Sequence, residues 1–291
     1  MAKGPAEIAH GPMFIGYSFN LILYGIMITQ VYLYFNTFKK DRLWMKILVI
    51  ILFIADTMNT LFDALYLYDS LIIHFVDYSN IQSFSVFHRS QSFYSALIAG
   101  AVQLFFSWRV KVLTTNWWLV AIVGLAAITG LVGGLITAYE VGVTPRFVDF
   151  RSFKWSVIMW LAGECFGDIT ITSVLPAHQR KHKTGFQASD ELVDRIIRLT
   201  VQTGFVTALC ATLDLVFFLI DPTGTHLIFN FPLAKLYTNS VMSSLNSRGA
   251  WNYSTPRSKF GDSNSMPANI ITTGDVNVGT RKRVSSTAYE I

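Results

Sequence analysis

The chain has 291 residues, of which 52% are apolar, 14% aromatic and only 14% charged, with a net charge of +5 and a mean hydropathy of +0.42. Soluble domains carry about 25% charged residues, so this composition excludes an ordinary soluble domain and points to a multi-spanning membrane protein. The basic excess falls in short segments between apolar runs, where it reports orientation and not an affinity for nucleic acid.

Residues 1–12 read as a short tail. A first span is expected over Met13–Phe35, followed by a linker with Lys39, Lys40 and Arg42. A second span covers Met45–Tyr68, and a longer loop, Asp69–Arg89, leads to a third over Gln91–Trp108. Span 4, Trp117–Tyr139, carries Gly124, Gly130, Gly133 and Gly134, which suits close helix packing. Span 5 is expected over Phe153–Leu175, then a basic loop over His178–Leu199, then span 6 over Thr200–Ile220. Ser189-Asp190-Glu191 reads as a helix start ahead of Leu192, Ile196 and Leu199, so span 6 is expected to project beyond the membrane. Asp221-Pro222-Thr223-Gly224 turns the chain into span 7, Thr225–Arg248. Residues 249–291 are rich in Ser, Thr, Asn and Gly and read as a disordered tail. Within it, Arg281-Lys282-Arg283-Val284-Ser285 offers Ser285 to a basic kinase as a weak phosphorylation candidate.

The expected organisation is therefore all-α: a tail over 1–12, a bundle of seven transmembrane helices over 13–248, and a tail over 249–291. The segments after spans 1, 3 and 5 and the C-terminal tail hold 16 Lys and Arg, against five on the other side. The positive-inside rule then places the N-terminus outside and the C-terminus in the cytosol. Trp44, Trp108, Trp117, Trp118 and Trp155 fall near span ends, as an interfacial aromatic belt requires. Cys165 and Cys210 both lie inside spans, so no loop disulfide and no zinc site is expected. The first apolar run has spanning length and lacks the basic start and cleavage site of a leader peptide.

Chemistry is concentrated on polar residues inside the spans. Asp56, Asn59 and Asp63 share one face of span 2; Glu164, Asp168 and Thr172 share one face of span 5; Lys235, Asn239 and Ser243 share one face of span 7. Asp214 lies in span 6, Gln103 in span 3 and Asn20 in span 1. The charged members, turned to lipid, would cost of order 15 kcal/mol together, so they are expected to face inward. Lys235 is expected near mid-depth, with Pro232 kinking the helix beside it and Asp56 as its leading partner. One lysine cannot pair five carboxyls, so the surplus must be protonated, hydrated or bound to cations. The candidate ligand-binding set is Asp56, Asn59, Asp63, Gln103, Glu164, Asp168, Asp214, Lys235 and Asn239. The competing reading is a set of interhelical hydrogen bonds that serves packing alone.

A lysine in a seventh helix also fits a retinal Schiff base, with Trp160, Glu164 and Asp168 as its surroundings, but the flanking rhodopsin patterns are missing. The six histidines lie in loops or at a span edge, and His178 and His182 sit among Arg180, Lys181 and Lys183, which would repel a metal ion. With no phosphate loop and no Ser-His-Asp set, no enzyme activity, cofactor or metal is expected.

The runs His182-Lys183-Thr184-Gly185-Phe186, Lys235-Leu236-Tyr237-Thr238-Asn239-Ser240 and Ser244-Leu245-Asn246-Ser247-Arg248 carry a resemblance. On them the chain resembles a family of seven-helix membrane proteins, abundant in mushroom-forming fungi (basidiomycetes), that is grouped under a domain of unknown function. The resemblance implies a seven-helix fold and a membrane location, and supplies no ligand, activity or catalytic residue. Val241-Met242-Ser243 departs from the more Leu-rich stretch of that family. The functional expectation is a receptor- or sensor-like protein with a polar intramembrane pocket for a small molecule or ion. The alternatives are a transporter or channel, or a structural membrane protein. A cytosolic protein partner is a candidate at residues 178–199 and the tail, and the membrane is either the plasma membrane or an endomembrane.

Overall fold

Long apolar runs without strand-length punctuation form helices because only a helix satisfies its backbone polar groups internally in lipid. The computed structural model describes residues 5–73, 82–114, 116–143, 154–181, 187–221 and 224–250, all within one unit, Met1–Ser254. Among them are seven α-helices: α1 (Pro5–Thr37), α2 (Leu43–Tyr68), α3 (Gln82–Thr114), α4 (Trp117–Val143), α5 (Lys154–Lys181), α6 (Gln187–Ile220) and α7 (Leu227–Asn246). A π-helical turn, Asp69–Ile73, closes α2, and a 3-10 turn, Ser247–Ala250, closes α7.

Several helices outrun their expected spans. α1 begins at Pro5, so most of the supposed N-terminal tail is helical. α3 extends past both ends of Gln91–Trp108 and shortens the loop before it. The expected loop over 178–199 is largely helix, since α5 runs to Lys181 and α6 starts at Gln187. The tail beyond Ala250, with Ser285, lies outside the described residues.

Consecutive helices pack side by side, and α7 returns against α1, so the seven close into a ring. α3 and α7 also touch each other across it. The surface is inverted relative to a soluble protein. Phe14, Ile22, Ile54, Leu125, Phe166, Phe205 and Ile220 stand exposed, while Asn20, Asp56, Asn59, Asp63, Glu164, Asp214 and Lys235 are at most 1% exposed. An apolar exterior of this extent is explained by hydrocarbon around it. Trp108, Trp117, Trp118 and Trp155 lie exposed close to helix ends, Trp155 at the opposite end of the bundle from the others.

Six helices, α1 to α6, are long and apolar enough to cross a bilayer. The seventh expected span is not, and its composition explains why. Of its 20 residues, 13 are buried, including Lys235, Thr238, Ser240 and Ser244. A helix enclosed by its neighbours need not be apolar, and 20 residues reach about 30 Å, the depth of a hydrocarbon core. α7 continues as a helix through Pro232.

The glycines of α4 set the approach of α5. A Cβ on Gly133 would lie 2.6 Å from the Trp160 backbone nitrogen, and one on Gly163 of α5 would lie 2.9 Å from the nitrogen of Gly130. Gly134 meets Ala96 of α3 in the same way, at 2.5 Å. This backbone contact rotates α5 so that Glu164 and Asp168 face inward. Apolar side chains cap the α1–α2–α7 wedge at both ends: Met13, Tyr66, Leu67, Leu227 and Phe231 at one, Tyr34, Val49, Leu52, Val241 and Met242 at the other. The polar residues lie between these caps.

Candidate functional site

Lys235 is nine residues into α7 and fully enclosed, with α2 opposite. Its ammonium lies 3.2 Å from Asp56 Oδ1 and donates to the Asp56 carbonyl oxygen at 3.1 Å and to Asn59 Oδ1 at 2.6 Å. Two of its three protons are met by hydrogen bonds, and the Asp56 carboxylate stands beside them at ion-pair distance. The Tyr24 ring centroid is 6.0 Å away. An amine coordinated in this way is a charge held by the fold, not one presented to a carbonyl ligand, which weighs against the Schiff-base reading.

The spacing of three and then four residues brings Asp56, Asn59 and Asp63 onto the inner face of α2, as expected. Asp63 lies one further turn along, and its Oδ2 accepts from Asn20 Nδ2 of α1 at 2.6 Å. Asp56 Oδ2, Asp63 Oδ1 and Asn20 Oδ1 are buried without a hydrogen-bond partner among the described residues.

A second centre joins α5, α6 and α7. The Tyr237 hydroxyl lies 3.3 Å from Glu164 Oε2 and 3.2 Å from Asp168 Oδ2. The Trp160 indole N–H donates to Glu164 Oε1, and Thr207 Oγ1 donates to Asp168 Oδ2 at 2.5 Å. Gln103 of α3 donates to the Glu164 carbonyl at 3.0 Å. One phenolic hydrogen stands between two carboxyl groups, so it cannot serve both at once.

Asp214 forms a third group. Its Oδ2 accepts from Asn230 Nδ2 at 2.7 Å, and Asn230 Oδ1 accepts from Gln91 Nε2 at 2.8 Å. Asn239 stands apart from these centres. Its Nδ2 donates to the carbonyl oxygens of Leu23, at 3.0 Å, and Lys235, at 2.7 Å, and Asn246 donates to the Gln30 carbonyl at 2.9 Å. Asn239 and Asn246 are seven residues apart, as are Leu23 and Gln30, so the two amides fasten α7 along α1 with the helices parallel. The Asn239 Oδ1 is buried without a hydrogen-bond partner among the described residues.

The expected set therefore resolves into separate contacts in which polar groups close on one another. Sequence reading omitted Tyr237, Thr207, Gln91 and Asn230 from the site, and named Trp160 only beside Glu164 and Asp168 in the Schiff-base reading. Asn230 carried a usable signal, a polar amide near the start of a span. Tyr237 carried none, because a tyrosine in an apolar run is ordinary and only its neighbours give it a role. Among the described residues no three His, Cys, Asp or Glu converge as a metal cage would require.

Residues 164–250 match a family described as a family of unknown function (DUF6534). The match covers most of α5, all of α6 and all of α7, and with them Glu164, Asp168, Asp214, Lys235 and Tyr237. It leaves out Asp56, Asn59, Asp63 and Gln103. No curated protein and no solved structure matches the chain.

Proposed function

We propose that this chain is a seven-helix integral membrane protein of the receptor or sensor type, with α7 crossing the bilayer as one helix of the ring. Its ligand is a small cation. The observation that carries the reading is the charge count: Asp56, Asp63, Glu164, Asp168 and Asp214 are all buried, against the single ammonium of Lys235 in the same interior. Enclosed negative charge without a counter-charge is costly, and a cation entering among these groups relieves it. The oxygens of Asp56, Asp63 and Asp214 that have no hydrogen-bond partner among the described residues are available acceptors. Because the acids are dispersed, the ligand is monovalent and touches one or two carboxyls, unlike a divalent ion held by several. The N-terminus lies outside and the C-terminus in the cytosol, as the basic residues indicate, and the resemblance to the fungal seven-helix family suits this architecture.

Trp160 is a built-in reporter, being 3% exposed and bonded to Glu164. Purified protein is titrated with sodium, potassium and ammonium chloride at constant ionic strength, and the emission that is lost in Trp160→Phe is followed. A saturable change is expected in the wild type, weakened at least tenfold in Glu164→Gln. A flat response to all three cations would defeat the reading. Lys235→Met variants that fold and respond normally would remove Lys235 from the site.

A second reading, transport of the same cation, draws on the spread of acids along the bundle from Asp63 and Asp214 toward Asp168. Cation flux into proteoliposomes that is abolished by Asp168→Asn would favour it over a sensor.

A further inference from the structure

At the end of the bundle where α2 begins and α3 and α7 finish, a cleft of about 180 Å³ opens between the three helices. Its lining includes Phe105, Trp108, Val112, Arg109, Ser244 and Arg248. The two guanidinium groups face one cleft, and like charges so placed repel. Arg248 is neutralised by Asp41, with Nη2 2.6 Å from Oδ2, and Nε and Nη1 are also engaged, by the Leu245 carbonyl and by Asp41 Oδ1 and Met45, so one N–H on Nη2 remains for a ligand. Arg109 has no acidic partner among the described residues. The nearby Lys46 and Lys111 are engaged elsewhere: Lys46 donates to the Lys39 carbonyl at 2.7 Å, and Lys111 lies 4.2 Å from the centre of the Trp117 ring. A second feature points to a ligand independently. Ser244 is 1% exposed, lines the cleft, and its hydroxyl has no hydrogen-bond partner among the described residues. A buried hydroxyl left this way costs free energy until something bonds to it.

We propose that this cleft binds the phosphate head group of an anionic membrane lipid. Arg109 supplies the fork that matches phosphate oxygens, Arg248 a second charge, and Ser244 a hydroxyl donor. The walls fit the rest of such a molecule. Phe105, Trp108 and Val112 present apolar surface, and Val112 is 58% exposed, so the cleft is continuous with the lipid-facing exterior. Trp44 packs edge-on against Trp108 at 4.6 Å, which sets the cleft at the depth of the aromatic belt, where head groups lie. By the charge distribution of the chain this is the cytosolic leaflet, where anionic lipids reside. The site is separate from the buried acids and does not depend on the cation-sensor reading.

The test uses full-length protein in nanodiscs, titrated with dioleoyl phosphatidic acid, with dioleoyl phosphatidylcholine and with inorganic phosphate, and bound lipid is counted by native mass spectrometry. Phosphatidic acid is expected to bind saturably and in preference to phosphatidylcholine. Arg109→Gln is expected to weaken it about tenfold, and Lys111→Gln, which removes a charge from the same helix end outside the cleft, less than about twofold. Equal losses in the two variants would reduce the effect to general surface charge and overturn the site. Saturable binding of inorganic phosphate without lipid preference would overturn the lipid assignment. Should Arg109→Gln fail to fold, Ser244→Ala carries the test: a loss of about threefold supports the site, and wild-type affinity overturns it.

Discussion

Lys235 and Asp56 are 179 residues apart in the chain, and the ammonium of one lies 3.2 Å from the carboxylate of the other with both side chains wholly enclosed. Removing one member of such a pair leaves the other charge buried and unpaired. Lys235→Met is therefore expected to lower stability by about 3–5 kcal/mol. Adding Asp56→Leu to it should recover most of that loss, because a well-packed apolar pair of similar volume often matches a buried ion pair. Reversible unfolding in mixed micelles reads both. A single variant as stable as wild type would mean that water reaches the pair.

Tyr237 is the joint between Glu164 and Asp168, with its hydroxyl within 3.3 Å of each. Tyr237→Phe keeps the ring and its packing and deletes only the hydroxyl. The expected loss is about 1–3 kcal/mol, since a buried carboxyl is left without the phenolic donor. It should be accompanied by a shift in Trp160 emission, because Trp160 bonds to the same Glu164. An unchanged spectrum would show that the two carboxyls do not depend on the phenol.

Glycine substitutions test the helix contacts directly. At Gly133 a new Cβ would meet the α5 backbone at 2.6 Å, and backbone cannot yield as a flexible side chain can. Gly133→Ala is expected to cost about 1–3 kcal/mol. At Gly25 nothing lies within 4 Å of an added Cβ. Gly25→Ala should be neutral or stabilise by up to about 1 kcal/mol, because alanine restricts the unfolded chain more than glycine does. Thermal unfolding of the two variants side by side checks the contrast.

Arg248 closes the end of α7 onto the α1–α2 linker. It bonds Asp41 through both terminal nitrogens, at 2.6 and 3.4 Å, its charge lies 4.7 Å from the Phe38 ring centre, and Asp41 also accepts from Tyr34 at 3.0 Å. The pair is part exposed, 27% and 16%, so its value is set by screened electrostatics and not by full burial. A double-mutant cycle with Arg248→Gln and Asp41→Asn is expected to give a coupling of about 0.5–1 kcal/mol that shrinks in high salt. A coupling indifferent to salt would mean that the contact is mainly packing.

Much of this molecule is legible in one dimension. Apolar runs of bilayer length place six spans, since the solvent imposes both their length and their helicity. Interfacial tryptophans mark helix ends for a similar reason. The inward faces of α2 and α5 follow from helical spacing, because a carboxyl facing lipid would cost too much to persist. The extra length of α1 and α3 escaped, because outside the membrane hydropathy no longer distinguishes helix from loop, whereas the start signal at Ser189-Asp190-Glu191 announced the projection of α6.

The sequence by itself determined that acids at 56, 63, 164, 168 and 214 and a lysine at 235 had to lie in one interior. The tertiary structure alone decided which of them meet. Hydropathy is a property of each helix, whereas a contact depends on the order, rotation and vertical register of two helices, and these are set by close backbone approaches such as Gly133 against Trp160. The packed helices join Lys235 to Asp56 and Asn59, give Tyr237 to Glu164 and Asp168, and turn the Asn239 amide nitrogen toward α1.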